Sequence, residues 1–182
     1  MKLVLASRNE NKLRELRSVL PDWEIELLCA PDEPAEDAGT FFGNAGIKAR
    51  HGRLHARPEE WVAGEDSGIE VVALGGAPGV ESARWAEDPV TRLLAELDGM
   101  TNRRARYVCE LVALSPEGLE LHAIGTLEGE IAAEPRGTEG FGYDPIFVPT
   151  GMSATVAELG GAWKREHSHR AQAARAFAAL LR

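Results

Sequence analysis

Apolar positions along this chain follow two periods, one near two residues and one near 3.6, and the changeovers mark its elements. Residues 2–6 (Lys-Leu-Val-Leu-Ala) are a short apolar run and read as a buried strand. A polar loop follows from Ser7 to Glu10. Leu13, Leu16 and Leu20 then recur at helical spacing, with Lys12, Arg14, Glu15 and Arg17 between them and Pro21 closing the helix. Residues 24–29 predict a second strand, and 31–39 an acidic, turn-rich loop. Residues 40–57 predict a helix capped by Thr40, although Gly43, Gly46 and Gly52 each weaken it by up to ~1 kcal/mol. Strands at 61–64 and 69–74 flank the segment Gly64-Glu65-Asp66-Ser67-Gly68, and Gly75 to Gly79 form a loop.

Residues 89–97 read as a short helix with Asp88 as cap and Pro89 in its first position. Residues 105–114 and 119–128 form a strand pair around Ser115-Pro116-Glu117-Gly118. A second loop-rich stretch runs from Pro135 to Gly151. A last helix covers 168–182, with Ala171, Ala174, Phe177 and Leu181 on one face. Strands and helices mix without strict alternation. The expected fold class is therefore α/β with a mixed sheet, in one domain over residues 1–182.

Composition narrows the partners. Apolar residues make up 44% of the chain, enough for a real core. Twenty Lys and Arg against 29 Asp and Glu give a net charge of −9, which argues against a nucleic-acid partner and leaves room for a small anion in a local basic pocket. Cys29 and Cys109 lie in strand-like stretches without metal spacing and read as reduced, buried thiols. The apolar run at the N-terminus is too short for a signal peptide, and no stretch approaches a membrane span. The expectation is a cytoplasmic protein without a membrane partner.

Five constellations could carry chemistry, one of them Glu36, in the acidic loop, with Lys48, on the helix that follows among Arg50, His51 and Arg53. Glu65 and Asp66 put two carboxylates side by side among glycines, in what reads as an acidic turn at a strand end; Mg²⁺ takes one or two such carboxylates and completes its shell with phosphates. Ser7-Arg8-Asn9-Glu10-Asn11-Lys12 lies between strand and helix, where backbone N–H groups favour an anion and Lys12 adds charge. Gly140-Phe141-Gly142-Tyr143-Asp144-Pro145 sets two aromatics between glycines, suited to a planar ligand, with Asp144 free to accept hydrogen bonds from it. Lys164 and Ser168-His169-Arg170 put donors beside a helix start capped by Ser168. Each of these alone also has a plainer reading: an acidic turn, a solvated loop or helical face, an aromatic hairpin packing on the core, or a helix cap.

Taken in order, the segments Ala6-Ser7-Arg8-Asn9-x-x-Lys12, Glu65-Asp66-Ser67-Gly68, Leu74-Gly75-Gly76-Ala77-Pro78-Gly79-x-x-Ser82-Ala83-Arg84, Gly140-Phe141-Gly142-Tyr143-Asp144-Pro145-Ile146-Phe147 and Ser168-His169-Arg170 resemble the inosine triphosphate pyrophosphatase family from end to end. The resemblance implies an elongated sheet flanked by helices, two lobes with the active-site cleft between them, and a homodimer. It implies Mg²⁺-dependent hydrolysis of non-canonical purine nucleoside triphosphates (ITP, dITP, XTP) to monophosphate and pyrophosphate. By position, Ser7, Arg8, Asn9, Glu10, Asn11, Lys12 and Lys48 would hold the triphosphate. Glu36 and Asp66 would bind the metal, with Asp66 the proton acceptor and Lys12 the charge-neutralising catalytic lysine. Ser67 would touch substrate, and Phe141, Gly142, Tyr143, Asp144, Lys164, His169 and Arg170 would hold the nucleoside. Two positions depart from the pattern. Many members have two aspartates where this chain has Glu65-Asp66, and an acidic residue where it has Gly43, so no metal ligand is placed at 43. A pyrimidine-directed pyrophosphatase of the same broad fold and a non-catalytic nucleotide-binding module are the competing readings.

Overall fold

The computed structural model describes residues 1–181. The first strand, β1 (Lys2–Leu5), leads into helix α1 (Glu10–Val19), which presents Leu13 and Leu16 to the core and is capped by Asn9. Then come β2 (Glu24–Leu27), α2 (Phe41–Arg53), capped by Thr40, and β3 (Trp61–Val71). Helix α3 (Pro89–Glu96) starts at the Asp88 cap with Pro89 in its first turn. The long strands β4 (Arg104–Leu114) and β5 (Glu120–Ile131) form a hairpin, β6 (Phe147–Pro149) adds an edge, and α4 (Val156–His167) and α5 (His169–Ala179) close the chain.

All six strands belong to one sheet in the order β2-β1-β3-β4-β5-β6. β1 runs parallel to β2 and β3, whereas the β3–β4, β4–β5 and β5–β6 pairs are antiparallel. The mixed sheet expected from the chain is what forms. Two large apolar cores lie along it, besides a small cluster of Ala45, Ala49 and Val112 between α2 and the sheet. One gathers Leu3, Leu5, Leu16, Ile25, Leu111 and Phe177 beneath α1 and α5; the other gathers Ile69, Leu93, Leu97, Tyr107, Ile146 and Phe147 beneath α3 and the 140–147 segment. β3, β4 and β5 supply residues to both cores, so the two lobes share the three long strands of the sheet.

Several expectations change. The segment at 64–68 is not a turn: 61–71 is one unbroken strand, paired residue by residue with β4. Residues 72–74, expected to be strand, form a short 3₁₀ turn ending at Gly75. Helix α2 stops at Arg53, and β5 continues to Ile131. Cys109 is buried in β4, but Cys29 lies beyond the end of β2 and is exposed. β6 and α4 had no counterpart in the pattern. α4 bends at Gly160, whose φ of 79° breaks the helical spacing midway.

Two glycines let helices lie directly on the sheet. A Cβ at Gly64 would stand 2.0 Å from the Ala45 carbonyl oxygen of α2, and one at Gly125 would stand 2.0 Å from the His169 carbonyl oxygen of α5. Real side chains never come that close, so both positions require glycine for the observed packing.

Candidate functional site

A cavity of about 550 Å³ opens between the lobes. Of the residues expected to act, Ser7, Arg8, Asn9, Lys12, Glu36, Lys48, Asp66, Ser67, Phe141, Gly142, Tyr143, Asp144, Lys164, His169 and Arg170 all line it. Glu10 and Asn11 do not; both lie in the first turn of α1, where Asn11 accepts a hydrogen bond from Arg14.

Strand geometry divides the paired carboxylates. Successive side chains of a strand point to opposite faces. Asp66 therefore faces α2, while Glu65 faces α1 and α5.

On the α2 face, the close approach at Gly64 brings the helix down onto β3 and Lys48 onto Asp66. Lys48 Nζ donates to Asp66 Oδ1 at 3.1 Å and to the Glu65 carbonyl at 3.2 Å, and pairs with Glu36 at 2.7 Å. Asn44, fully buried, donates to Asp66 Oδ2 and accepts from the Ala38 N–H, which ties the Glu36 loop to the strand. Burial raises the Asp66 pKa from its ordinary 3.8, outweighing the downward pull of Lys48 and Lys12. Burial acts to lower the Lys48 pKa, but Asp66 and Glu36 outweigh it and raise the value. A Cβ at Gly43 would lie 2.4 Å from the Ala38 side chain, so this backbone leaves no space for an acidic side chain there.

On the opposite face, Glu65 is fully buried. Lys12 Nζ meets its Oε2 at 2.6 Å, and Arg170 donates to Oε1 from Nε and Nη2 at 3.3 and 3.2 Å. Burial opposes its charge, but Arg170 and Lys12 prevail and hold the carboxyl well below the ordinary 4.5. Arg170 also donates to Ser67 Oγ at 2.8 Å and to Glu15. Four of the hydrogen bonds its guanidinium can donate thus go to protein groups, which leaves little of it for a ligand. Its neighbour His169 stacks on Tyr107, with ring centroids 4.6 Å apart, and its Nδ1 is buried without a hydrogen-bond partner. Burial, reinforced by Arg170, holds the His169 pKa well below 6.5, so this ring is neutral.

The 140–145 loop divides between its two readings, core hairpin and ligand face. The Tyr143 ring is built into the second core, with its hydroxyl donating to the Ser82 carbonyl. Phe141 is the half-exposed ring, with Lys164 Nζ 4.6 Å from its centroid. Asp144 is not a free acceptor: it takes hydrogen bonds from the Phe141 N–H at 2.8 Å, Lys164 at 2.7 Å and the Tyr107 hydroxyl. Nor are all the N–H groups at the start of α1 free for an anion. Asn9 Oδ1 accepts from the N–H groups of Asn11 and Lys12 at 2.9 and 3.2 Å.

Three contributors were given no role from the sequence. Glu15 joins Lys164 (2.5 Å) to Arg170 and so links α1, α4 and α5 behind the cavity. Its spacing of three residues from Lys12 puts both on one helical face, the signal that could have found it. Asn44 fixes Asp66, and Arg84 reaches the Glu36 carbonyl at 3.3 Å from the cavity wall. Both lie next to residues already singled out.

Comparison with known proteins places this architecture. The profile of the Ham1 family matches residues 3–180. The dITP/XTP pyrophosphatase of Leptothrix cholodnii is 42% identical, the match covering 100% of this chain and 97% of that protein. The Staphylococcus aureus Ham1 protein structure superposes with a TM-score of 0.87 at 34% identity, covering 100% of this chain and 98% of that one. The dITP/XTP pyrophosphatase structure from Mycobacterium abscessus superposes with a TM-score of 0.76 at 40% identity, with both chains covered in full.

Proposed function

The chain belongs to the Ham1 family, the family its motifs resemble, and from that premise we propose how its cleft hydrolyses non-canonical purine nucleoside triphosphates of the dITP and XTP type. The products are the nucleoside monophosphate and pyrophosphate. The observation that carries the mechanism is the contrast between adjacent carboxylates: Glu65 is locked in its charged form by two cations, whereas Asp66 faces the cavity with raised basicity. Such divergent environments separate a structural carboxylate from a proton acceptor.

Asp66 takes the proton from the water that attacks the α-phosphorus. Lys48 and Asn44 hold its two oxygens in place for that step. Ser7, Arg8, Lys12 and Lys48 surround the phosphates and offset their charge. Glu36 and Asp66 offer two carboxylates on the cavity wall, a donor set of hard oxygens that fits Mg²⁺ with phosphate and water completing the shell. When bound, the ion neutralises phosphate charge. Phe141 gives the purine a face to stack on, and Asp144 orients that ring and Lys164 and contacts no base itself. A 6-keto oxygen finds its donor at His169 and the remaining Arg170 N–H, whereas a 6-amino group would leave those donors unpaired.

No helix among the described residues is long and apolar enough to cross a membrane, which fits a cytoplasmic enzyme acting on the nucleotide pool. We assign a homodimer as its working form. The exposed Phe42 ring, edge-on to His122 at 4.6 Å, offers an apolar face for it, and the mass in solution tests this. The test of the reaction is chromatography of ITP turnover with and without excess chelator. IMP and pyrophosphate are expected, and only with the metal; IDP as first product, or full turnover in chelator, would overturn the reading.

A further inference from the structure

We propose that Asp32, His51 and His55 form a binding site for a transition-metal dication of the zinc type, separate from the Glu36–Asp66 pair. The two histidines stand four residues apart, where α2 ends and the chain still coils: the His55 and Ala56 N–H groups both bond to the Gly52 carbonyl at 3.0 Å. That spacing puts both imidazoles on one side of the turn. Their ring centroids are 4.8 Å apart at an interplanar angle of 47°, a tilted arrangement.

Both Nε2 atoms face one oxygen. Asp32 Oδ1 lies 3.1 Å from His51 Nε2 and 3.9 Å from His55 Nε2, and the ligand atoms of the three residues all fall within 4.8 Å of one another. Bonds of ~2.0–2.1 Å in a tetrahedral zinc site put neighbouring ligand atoms ~3.3 Å apart, a spacing the two distances bracket. A plain hydrogen bond explains the His51 contact. It does not explain a second imidazole aimed at the same oxygen from beyond hydrogen-bond range.

Donor chemistry selects the ion. Two imidazoles and one carboxylate suit zinc or a neighbouring first-row dication, whereas Mg²⁺ takes oxygen ligands throughout. Asp32 and His55 are exposed, so the ion can enter from solvent, and water completes its shell. Asp32 sits four residues before Glu36, and His51 three residues after Lys48. An ion here would therefore staple the Glu36 loop to α2 at the rim of the cleft.

The experiment is a titration of the untagged, metal-stripped protein with Zn²⁺ against a chromophoric chelator, run in excess Mg²⁺, with Co²⁺ as a spectroscopic substitute. One equivalent of tight Zn²⁺ is expected, together with visible Co²⁺ bands of a four- or five-coordinate site. His55→Ala and Asp32→Asn should each weaken binding by at least ~10-fold while circular dichroism is unchanged. His122→Ala, which removes an exposed histidine of β5 that pairs with Glu110 of β4, should leave it unaltered. The proposal fails if His55→Ala binds Zn²⁺ as tightly as the wild type. It also fails if Mg²⁺ displaces the Zn²⁺ competitively, since the ion would then sit on the all-oxygen pair.

Discussion

At the scale of single residues, Glu65 and Asp66 differ by one backbone step, and in the mechanism proposed above they divide structure from chemistry between them. Asp66→Asn should lower kcat by at least ~10²-fold by removing the proton acceptor. Because burial raises the Asp66 pKa above 3.8, its ionised form is not favoured by folding. The Asn variant should therefore keep or slightly raise the wild-type Tm, and the acid limb of wild-type kcat/KM should fall at a pH above 3.8. Glu65 has the opposite sign. Its folded pKa lies well below 4.5, so its contribution to stability is complete above about pH 4.5 and is lost as the pH falls toward the folded value. Glu65→Gln leaves Lys12 and part of Arg170 as uncompensated buried charge. A loss of about 3 kcal/mol is expected, read by denaturant unfolding at pH 7, and the difference from wild type should shrink below pH 4.5. The two carboxylates were legible in the sequence, and their separate roles were not. A Glu-Asp pair among glycines reads as a turn until α1, α2 and α5 supply the lysines and arginine that make burial tolerable.

Among elements, those with unbroken periodicity could be read directly: α1 from Leu13, Leu16 and Leu20, α3 from its Asp88-Pro89 start, and the β4–β5 hairpin from its Ser-Pro-Glu-Gly turn. α4 was hidden because Gly160-Gly161 interrupt its pattern where the backbone leaves helical geometry. A local signal did exist. Thr155 and Glu158 form a capping box, with Thr155 Oγ1 accepting from the Glu158 N–H and Glu158 accepting from the Thr155 N–H. β6 is only three residues long and takes its identity from pairing with β5. The glycines that seat α2 and α5 on the sheet were visible only as weak helix or strand residues. Gly64→Ala tests that seat. The added methyl must push α2 off β3, at a cost of ~1–3 kcal/mol from overpacking, and it must carry Lys48 away from Asp66. Activity should fall further than the loss of stability alone would explain, as measured by kcat in conditions where the variant is fully folded.

On the scale of the whole molecule, the mixed sheet and the residues lining the cleft follow from the chain, because five separated motifs converge on one cavity. What the chain conceals is how much of that lining is already engaged with itself, Arg170 and Asp144 above all. The strands common to both cores also bear on motion. β3 and β4 run through the two lobes as continuous beams, joined along ten residue pairs from Val62 to Val71. Two bodies that share such beams have no flexible linker between them to serve as a hinge, so any swing would have to bend or twist the paired strands themselves. Opening and closing therefore belong to the segments that hang from the frame: 30–40, which carries Glu36, and 135–145, which carries Phe141. Hydrogen exchange should show this as uniform slow exchange along β3 and β4, without a weak joint at Glu65-Asp66, beside fast exchange in those two segments that slows when nucleotide binds. A turnover limited by their movement would leave Asp66, the carboxylate proposed as proton acceptor, stationary throughout, in a framework as stiff when the cleft is open as when it is shut.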